Sequence, residues 1–150
     1  MSDNISIVIP CRDDDIKNFS TTLDAINSQL YMPSEIVIVD SSQSNQIMDF
    51  ISKSSQKNLF KYKRIKPSFA GLSTNIGIEM ASFELIALLD TKTVPSNTWL
   101  KEYIEIIKNE NVSVVFGNTI FKYTSSFQRA VRAASYGAVS HETVPGTLFH

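Results

Sequence analysis

The stretch Glu84-Leu-Ile-Ala-Leu-Leu-Asp90-Thr-Lys-Thr-Val-Pro95 decides the fold. Leu85 to Leu89 run without a polar break and stop at an aspartate followed by a short polar turn. An apolar run of this length, bounded by turn signals, reads as a strand buried on both faces of a parallel sheet. Ligands gather outside the carboxyl ends of such strands, so Asp90 stands where chemistry is done. Aspartate is equally a common turn and cap residue, and Asp90 alone leaves both readings open.

The flanking segments repeat the pattern. Ile5-Ser-Ile-Val-Ile-Pro10 reads as a first strand, and Glu35-Ile-Val-Ile-Val-Asp40 as a second that again ends on an aspartate, followed by Ser41, Ser42 and Ser44. Leu59–Ile65 alternates enough for a third strand whose lysines suit a sheet edge. Val112–Phe116 reads as a fifth. Between them lie helical patterns. Ile16, Phe19, Leu23, Ile26 and Leu30 recur at steps of three and four. Asp13, Asp14 and Asp15 precede them, readable as a metal cluster or, more simply, as acids in the helix's first turn. Cys11 and Arg12, in the strand-to-helix turn, are placed for ligand contact.

A short helix carries Ile47, Met48, Phe50 and Ile51, and another begins at Leu72 with Ile76, Met80 and Phe83. A further helix, capped by Ser96, carries Trp99, Leu100, Tyr103, Ile104 and Ile107. Phe127, Ala130, Val131 and Ala134 outline a last one before the tail Val144–His150. Strand and helix in alternation argue an α/β fold with a mainly parallel sheet. Asp40 and Asp90 end two different strands and could converge on one crevice, which capping alone does not predict.

Composition narrows the function. The 150 residues fit a single domain, 1–150, and 43% hydrophobic with 19% charged residues is ordinary for a globular protein. A net charge of −1 does not advertise a nucleic-acid partner. The lone Cys11 excludes an intrachain disulfide. The start Met-Ser-Asp-Asn has no basic leader, and no apolar run is long enough to span a membrane, so the expected setting is cytoplasmic or the inner face of a membrane. The first strand-to-helix turn, Pro10–Asp15, has no glycine, which removes the dinucleotide fingerprint; a P-loop and a Gly-x-Ser-x-Gly elbow are also missing. His141 and His150 stand apart and make no zinc cluster.

The chain resembles the N-terminal, nucleotide-sugar-binding half of family-2 glycosyltransferases with the Rossmann-like GT-A fold. The landmarks are Ser6-Ile-Val-Ile-Pro10 with Arg12, Glu35–Ser42, Gly71-Leu-Ser-Thr-Asn75-Ile-Gly77, Leu88–Pro95 and Trp99-Leu100. They come in the family's order and cover essentially the whole chain. The resemblance implies a nucleotide-diphosphate-sugar donor, foremost a UDP-sugar, across the ends of the first, second and fourth strands. It implies Pro10 and Arg12 beside the base, Asp40 on the base edge and Asp90 on the ribose or the metal shell, with Ser42, Asn75 and Lys92 in the donor set. A uracil imide N–H needs an acceptor, and ribose hydroxyls favour an ionised one. Gly77 is a close-packing position or part of the donor surface.

Two departures qualify what the resemblance implies. The family's second acid, which with Asp90 would bind Mn²⁺ or Mg²⁺, is Lys92 here. Either its ammonium pairs with the diphosphate in place of the metal's charge, or the site has drifted and binds donor poorly. Thr74 stands where the family often has arginine. The acceptor half and its general base belong beyond Gly146-Thr-Leu-Phe149, and Glu142 does not match that motif. The expectation is therefore an inverting glycosyltransferase of which this chain is the donor-binding part, truncated before the acceptor half and inactive alone. The alternative is a non-catalytic GT-A-like module that binds a nucleotide or a protein.

Overall fold

The computed structural model describes residues 4–13, 15–55, 57–110, 112–117, 125–127, 130 and 147–149. Strands and helices alternate as the apolar runs require: β1 (Ile5–Cys11), α1 (Ile16–Asn27), β2 (Glu35–Asp40), α2 (Gln46–Ser52), β3 (Phe60–Arg64), α3 (Ala70–Met80), β4 (Leu85–Leu88), α4 (Trp99–Glu110), β5 (Val114–Phe116) and β6 (Thr147–Phe149). They form one sheet in the order β3-β2-β1-β4-β6-β5. β3, β2, β1 and β4 are parallel, and β6 runs antiparallel to both β4 and β5.

The chain steps from β1 outward to β2 and β3, then returns past β1 to β4. Right-handed crossovers that travel in opposite directions put their helices on opposite faces. Accordingly Ile5, Ile7, Ile9 and Cys11 pack with α1, α2 and α4 in the larger core. Val8, Val37 and Val39 face α3 through Ile76 and Met80. Every residue of β2 is buried, the reason its sequence reads as an unbroken apolar run rather than an alternation. β3 forms the edge that its lysines predict. At the lower end of the sheet, Lys61 pairs with Glu35 at 2.8 Å, and the same carboxylate accepts from Ser6 Oγ (2.8 Å) and Ser82 N (2.6 Å).

Several boundaries differ from the sequence reading. Asp15 is the N-cap of α1, accepting from Lys17 N at 2.9 Å, so the acids precede the first turn instead of occupying it. Asp13 lies in the loop and Asp14 outside the described residues. α1 ends at Asn27, which leaves Leu30 beyond the amphipathic face and 65% exposed. Cys11 is the last residue of β1 and is buried in the core, not placed in the turn. α3 starts at Ala70 and stops before Phe83. The first i→i−4 bond of α4, Glu102 N to Thr98 O, makes Thr98 rather than Ser96 the cap position. β5 is shorter than the sequence predicts, and β6 lies in the stretch that the sequence presents as tail. Val131, Ala134, His141, Glu142, Val144, Gly146 and His150 lie outside the described residues. Among the described residues, no helix is long and apolar enough to cross a membrane.

Two expectations test this architecture. A Cβ on Gly77 would collide with Val8 Cγ1 and meet Val39 Cγ2 at 3.4 Å, whereas one on Gly71 meets nothing within 4 Å. Gly77→Ala should therefore cost roughly 1–3 kcal/mol of stability by overpacking. Gly71→Ala should instead stabilise by about 0.4–1 kcal/mol, both read from urea denaturation. Glu35 supplies the second test. Burial alone would raise its carboxyl, but the hydrogen bonds from Lys61, Ser82 and Ser6 and the Lys61 charge outweigh it and hold the group below 4.5. A depressed folded value means stability that is present above the unfolded pKa and lost as pH falls through the folded one. Glu35→Gln should flatten the acid limb of the stability–pH curve below about pH 4.5 and leave its shape near neutrality unchanged.

Candidate functional site

The strand order reverses between β1 and β4, and at such a switch point the connections after adjacent strands leave in opposite directions, opening a crevice. Pro10 widens it. Val8 O accepts from Leu89 N at 3.0 Å toward β4, and Cys11 O accepts from Ser41 N at 2.9 Å toward β2. By the alternation of strand residues, Pro10 faces β4, where it has no N–H to give. The β1–β4 pairing stops at Val8 and Leu88, while the β1–β2 pairing runs on to Cys11 and Asp40. Carrying the β4 register on by two residues sets Asp90 level with Pro10. Asp40 and Asp90 thus rise at similar height on strands separated by β1, roughly 10 Å apart in backbone terms.

The two aspartates live in opposite surroundings. Asp40 is 0% exposed. Its Oδ1 accepts from Ser42 N at 2.9 Å in a tight local turn, and its Oδ2 accepts from Tyr62 Oη at 2.7 Å. Burial, this bond and the carboxylate's charge push the Tyr62 phenol well above its ordinary value, so it remains a donor across the working pH range. Tyr62 had no place in the sequence reading. A signal was available: it sits in the third strand with the same parity as the register partner of Asp40. Asp90 is exposed, and its Oδ1 accepts from Lys92 N at 2.9 Å.

The loops between these strands are laced together. Asp13 N donates to Ser42 Oγ at 2.8 Å, and Gln43 N donates back to Asp13 Oδ1 at 2.9 Å. Asp13 takes a left-handed backbone, φ 47°, a conformation that short polar side chains tolerate. Arg64 donates to the Ser42 and Gln43 carbonyls, both at 3.0 Å, and to Asn45 Oδ1. Arg12 reaches the Ser68 carbonyl at 3.2 Å, tying the β1 loop to the approach to α3. Pro10, Arg12, Asp40, Ser42, Asp90 and Lys92 therefore all lie at the carboxyl end of the parallel strands. Asn75 is apart from that set by element: it is exposed at the middle of α3, where Gly77 is the close-packing position.

Comparison with known proteins identifies the architecture. Residues 6–143 match the model of glycosyl transferase family 2. Glycosyltransferase AglE of Haloferax volcanii is 27% identical over 136 residues, 88% of this chain and 44% of that protein. The crystal structure of S. aureus TarS 1-349 in complex with UDP-GlcNAc superposes with a TM-score of 0.69 at 17% identity, over 97% of this chain and 45% of that one. The mannosyltransferase PcManGT from Pyrobaculum calidifontis, in complex with GDP-Man and Mn²⁺, gives 0.70 at 18% identity, over 97% and 44%. The sheet and its flanking helices are those of the GT-A fold, and the chain spans under half the length of these relatives.

The loop carrying Asp90 is fastened from below by α1. Thr22 Oγ1, fully buried, donates to the carbonyls of Thr91 (2.8 Å) and Thr93 (3.0 Å). Gln29 bridges the Ser96 carbonyl (2.6 Å) and Leu100 N (3.1 Å). The loop thus presents one carboxylate, Asp90, and one ammonium, Lys92. Among the described residues no group of three His, Cys, Asp or Glu side chains converges, so this donor set does not make a protein cage for Mn²⁺ or Mg²⁺. The fastening has a measurable consequence. Thr22→Val removes a shared donor from two carbonyls and should cost about 1–3 kcal/mol. Amide exchange by mass spectrometry should quicken across 91–97 and stay slow in β1 and β2.

Proposed function

Because the chain belongs to glycosyl transferase family 2, we propose that it is the donor-binding part of an enzyme that transfers a sugar from a nucleotide diphosphate to a saccharide, lipid or protein acceptor, with inversion. The observation that supports this reading most is that Pro10, Asp40 and Asp90 gather at the carboxyl ends of β1, β2 and β4, around the notch where the β1–β4 ladder stops while the β1–β2 ladder runs on. In this reading the base lies beside Pro10 and Arg12, and its imide N–H meets Asp40. The ribose hydroxyls donate to Asp90, with Ser42 holding the β1 and β2 loops in register. Asn75 contributes from the flank of α3. A uridine nucleotide fits best, and TarS, whose structure holds UDP-GlcNAc, supports that choice.

The chemistry follows from charge. As the acceptor oxygen attacks the anomeric carbon, the bond to the diphosphate oxygen breaks and negative charge grows on the leaving nucleotide. Lys92, two residues beyond Asp90, supplies a cation for that charge. A metal ion, held in the solved PcManGT complex, would supply the same neutralisation when bound, and this chain's residues offer it only Asp90. The acceptor's proton passes to a base contributed by the remainder of a longer enzyme. The setting in this reading is cytoplasmic, where a lone cysteine stays reduced.

Lys92 also favours a second reading, a module that binds nucleotide without chemistry. Thermal-shift titration with UDP, GDP and dTDP, with and without Mn²⁺, tests the first. UDP at about 100 times its dissociation constant should stabilise the fold by about 2.7 kcal/mol without metal. Asp90→Ala and Lys92→Ala should each reduce that shift. Stabilisation that appears only with Mn²⁺ would move the diphosphate role from Lys92 to a metal on Asp90. No shift with any nucleotide would defeat the donor-binding reading, and a shift without nucleoside diphosphate release from a full-length enzyme would leave the module.

A further inference from the structure

Tyr62 Oη donates to the Asp40 carboxylate from the neighbouring strand, while Ser42 N holds its other oxygen. We propose that Tyr62 is a positioning residue that sets the base preference of the site, holding Asp40 as a fixed, acceptor-only edge that takes a base N–H and repels a base lone pair. The inference rests on the donor-binding reading, in which Asp40 meets the base.

Three observations carry it. First, the geometry pins both oxygens from below: Ser42 N on Oδ1 and Tyr62 Oη on Oδ2 fix the plane of the group, and each oxygen keeps a further lone pair. Second, the ring that delivers the hydroxyl is itself fixed. Tyr62 lies two register pairs below the Asp40–Arg64 pair, on the same face of the sheet, and packs against the larger core. Third, the neighbouring cation is spent elsewhere. Arg64 stands in register beside Asp40 but directs its guanidinium to Ser42 O, Gln43 O and Asn45. The Arg64 guanidinium is thereby directed away from the Asp40 carboxylate. The phenol, pushed up by its burial and by Asp40, gives its proton to that bond at any working pH.

An acceptor-only edge discriminates between pyrimidines. Uracil presents N3–H as a donor, whereas cytosine presents N3 as an acceptor, and a site built for a donor leaves its buried group unpaired against the wrong base. Without Tyr62 the carboxylate can turn, and its edge no longer holds one lone-pair direction toward the base.

The test is isothermal titration of the 150-residue chain with UDP and CDP. The native chain should prefer UDP, and Tyr62→Phe should reduce the UDP-to-CDP affinity ratio about tenfold, the size of one lost hydrogen bond. A purely structural role would weaken both nucleotides equally and leave the ratio unchanged, which would overturn the proposal. Native chain that binds neither nucleotide would overturn the donor-binding reading itself, and this inference with it. Should Tyr62→Phe fail to fold, the native chain bearing 3-fluorotyrosine at position 62 serves instead. Its ¹⁹F resonance should shift with UDP and not with 3-methyl-UDP; the same response to both, or to neither, would overturn the proposal.

Discussion

A missing N–H shapes the upper edge of this sheet. Pro10 lies in a strand that is otherwise paired on both sides, and its nitrogen faces the neighbour that the chain reaches last. With no donor there, the ladder to β4 closes at the Val8–Leu88 pair, while the ladder to β2 runs on to Cys11 and Asp40. A proline inside a central strand is normally excluded because it leaves a partner carbonyl unanswered. Here the cost falls where β4 turns away into a polar loop, so the defect becomes a notch. The reversal of strand order supplies a crevice in every fold of this type; the proline sets how deep this one is.

Two carboxylates that differ in kind stand beside the notch. Asp40 is buried and held by one backbone and one side-chain donor, and a charge so placed is tolerable only because those bonds replace water. Asp90 is exposed on a loop whose backbone hangs from Thr22 of α1 and from Gln29 just past its end. Shape recognition suits the first, where a fixed lone-pair direction can select a partner. The second suits charge and hydroxyl contacts, where a screened, accessible group tolerates variation in what it meets. The division follows from Asp40 still lying within its paired strand while Asp90 stands two residues beyond the end of its own.

Much of this was legible in the sequence, and the reasons are local. The runs Ile36–Val39 and Leu85–Leu89 read as strands of a parallel sheet, and their terminal aspartates lie at its carboxyl edge. What escaped was non-local. The bond from Tyr62 to Asp40 spans 22 positions and depends on the register of two strands that no spacing rule reveals. Thr22, an apparently ordinary helix threonine, reaches loop carbonyls about 70 positions away. Strand β6 is three residues long, too short to show a period, and its place between β4 and β5 is a property of topology. Cys11 reads as a turn residue because Pro10 looks like a strand end, although the strand pairs with β2 through the proline by using its other edge.

In the proposed reading, the same physical split explains how the site can carry Lys92 where the resemblance implies an acid. A carboxylate next to a nucleotide diphosphate gathers negative charge that must be offset close by. A divalent ion does this by direct ligation, and demands several oxygen ligands at short range. An ammonium does it through hydrogen bonds from a flexible stem, and demands only a fixed root near the charge. The turn at Asp90 provides that root, since its side chain accepts from the Lys92 backbone N–H. The carboxylate therefore fixes the origin of the cation rather than competing with it for the same ligand. In the proposed reading, recognition resides in the buried pair of Asp40 and Tyr62 and charge compensation in the exposed pair of Asp90 and Lys92. Drift at the second pair then alters how strongly a diphosphate is held without altering which base is read.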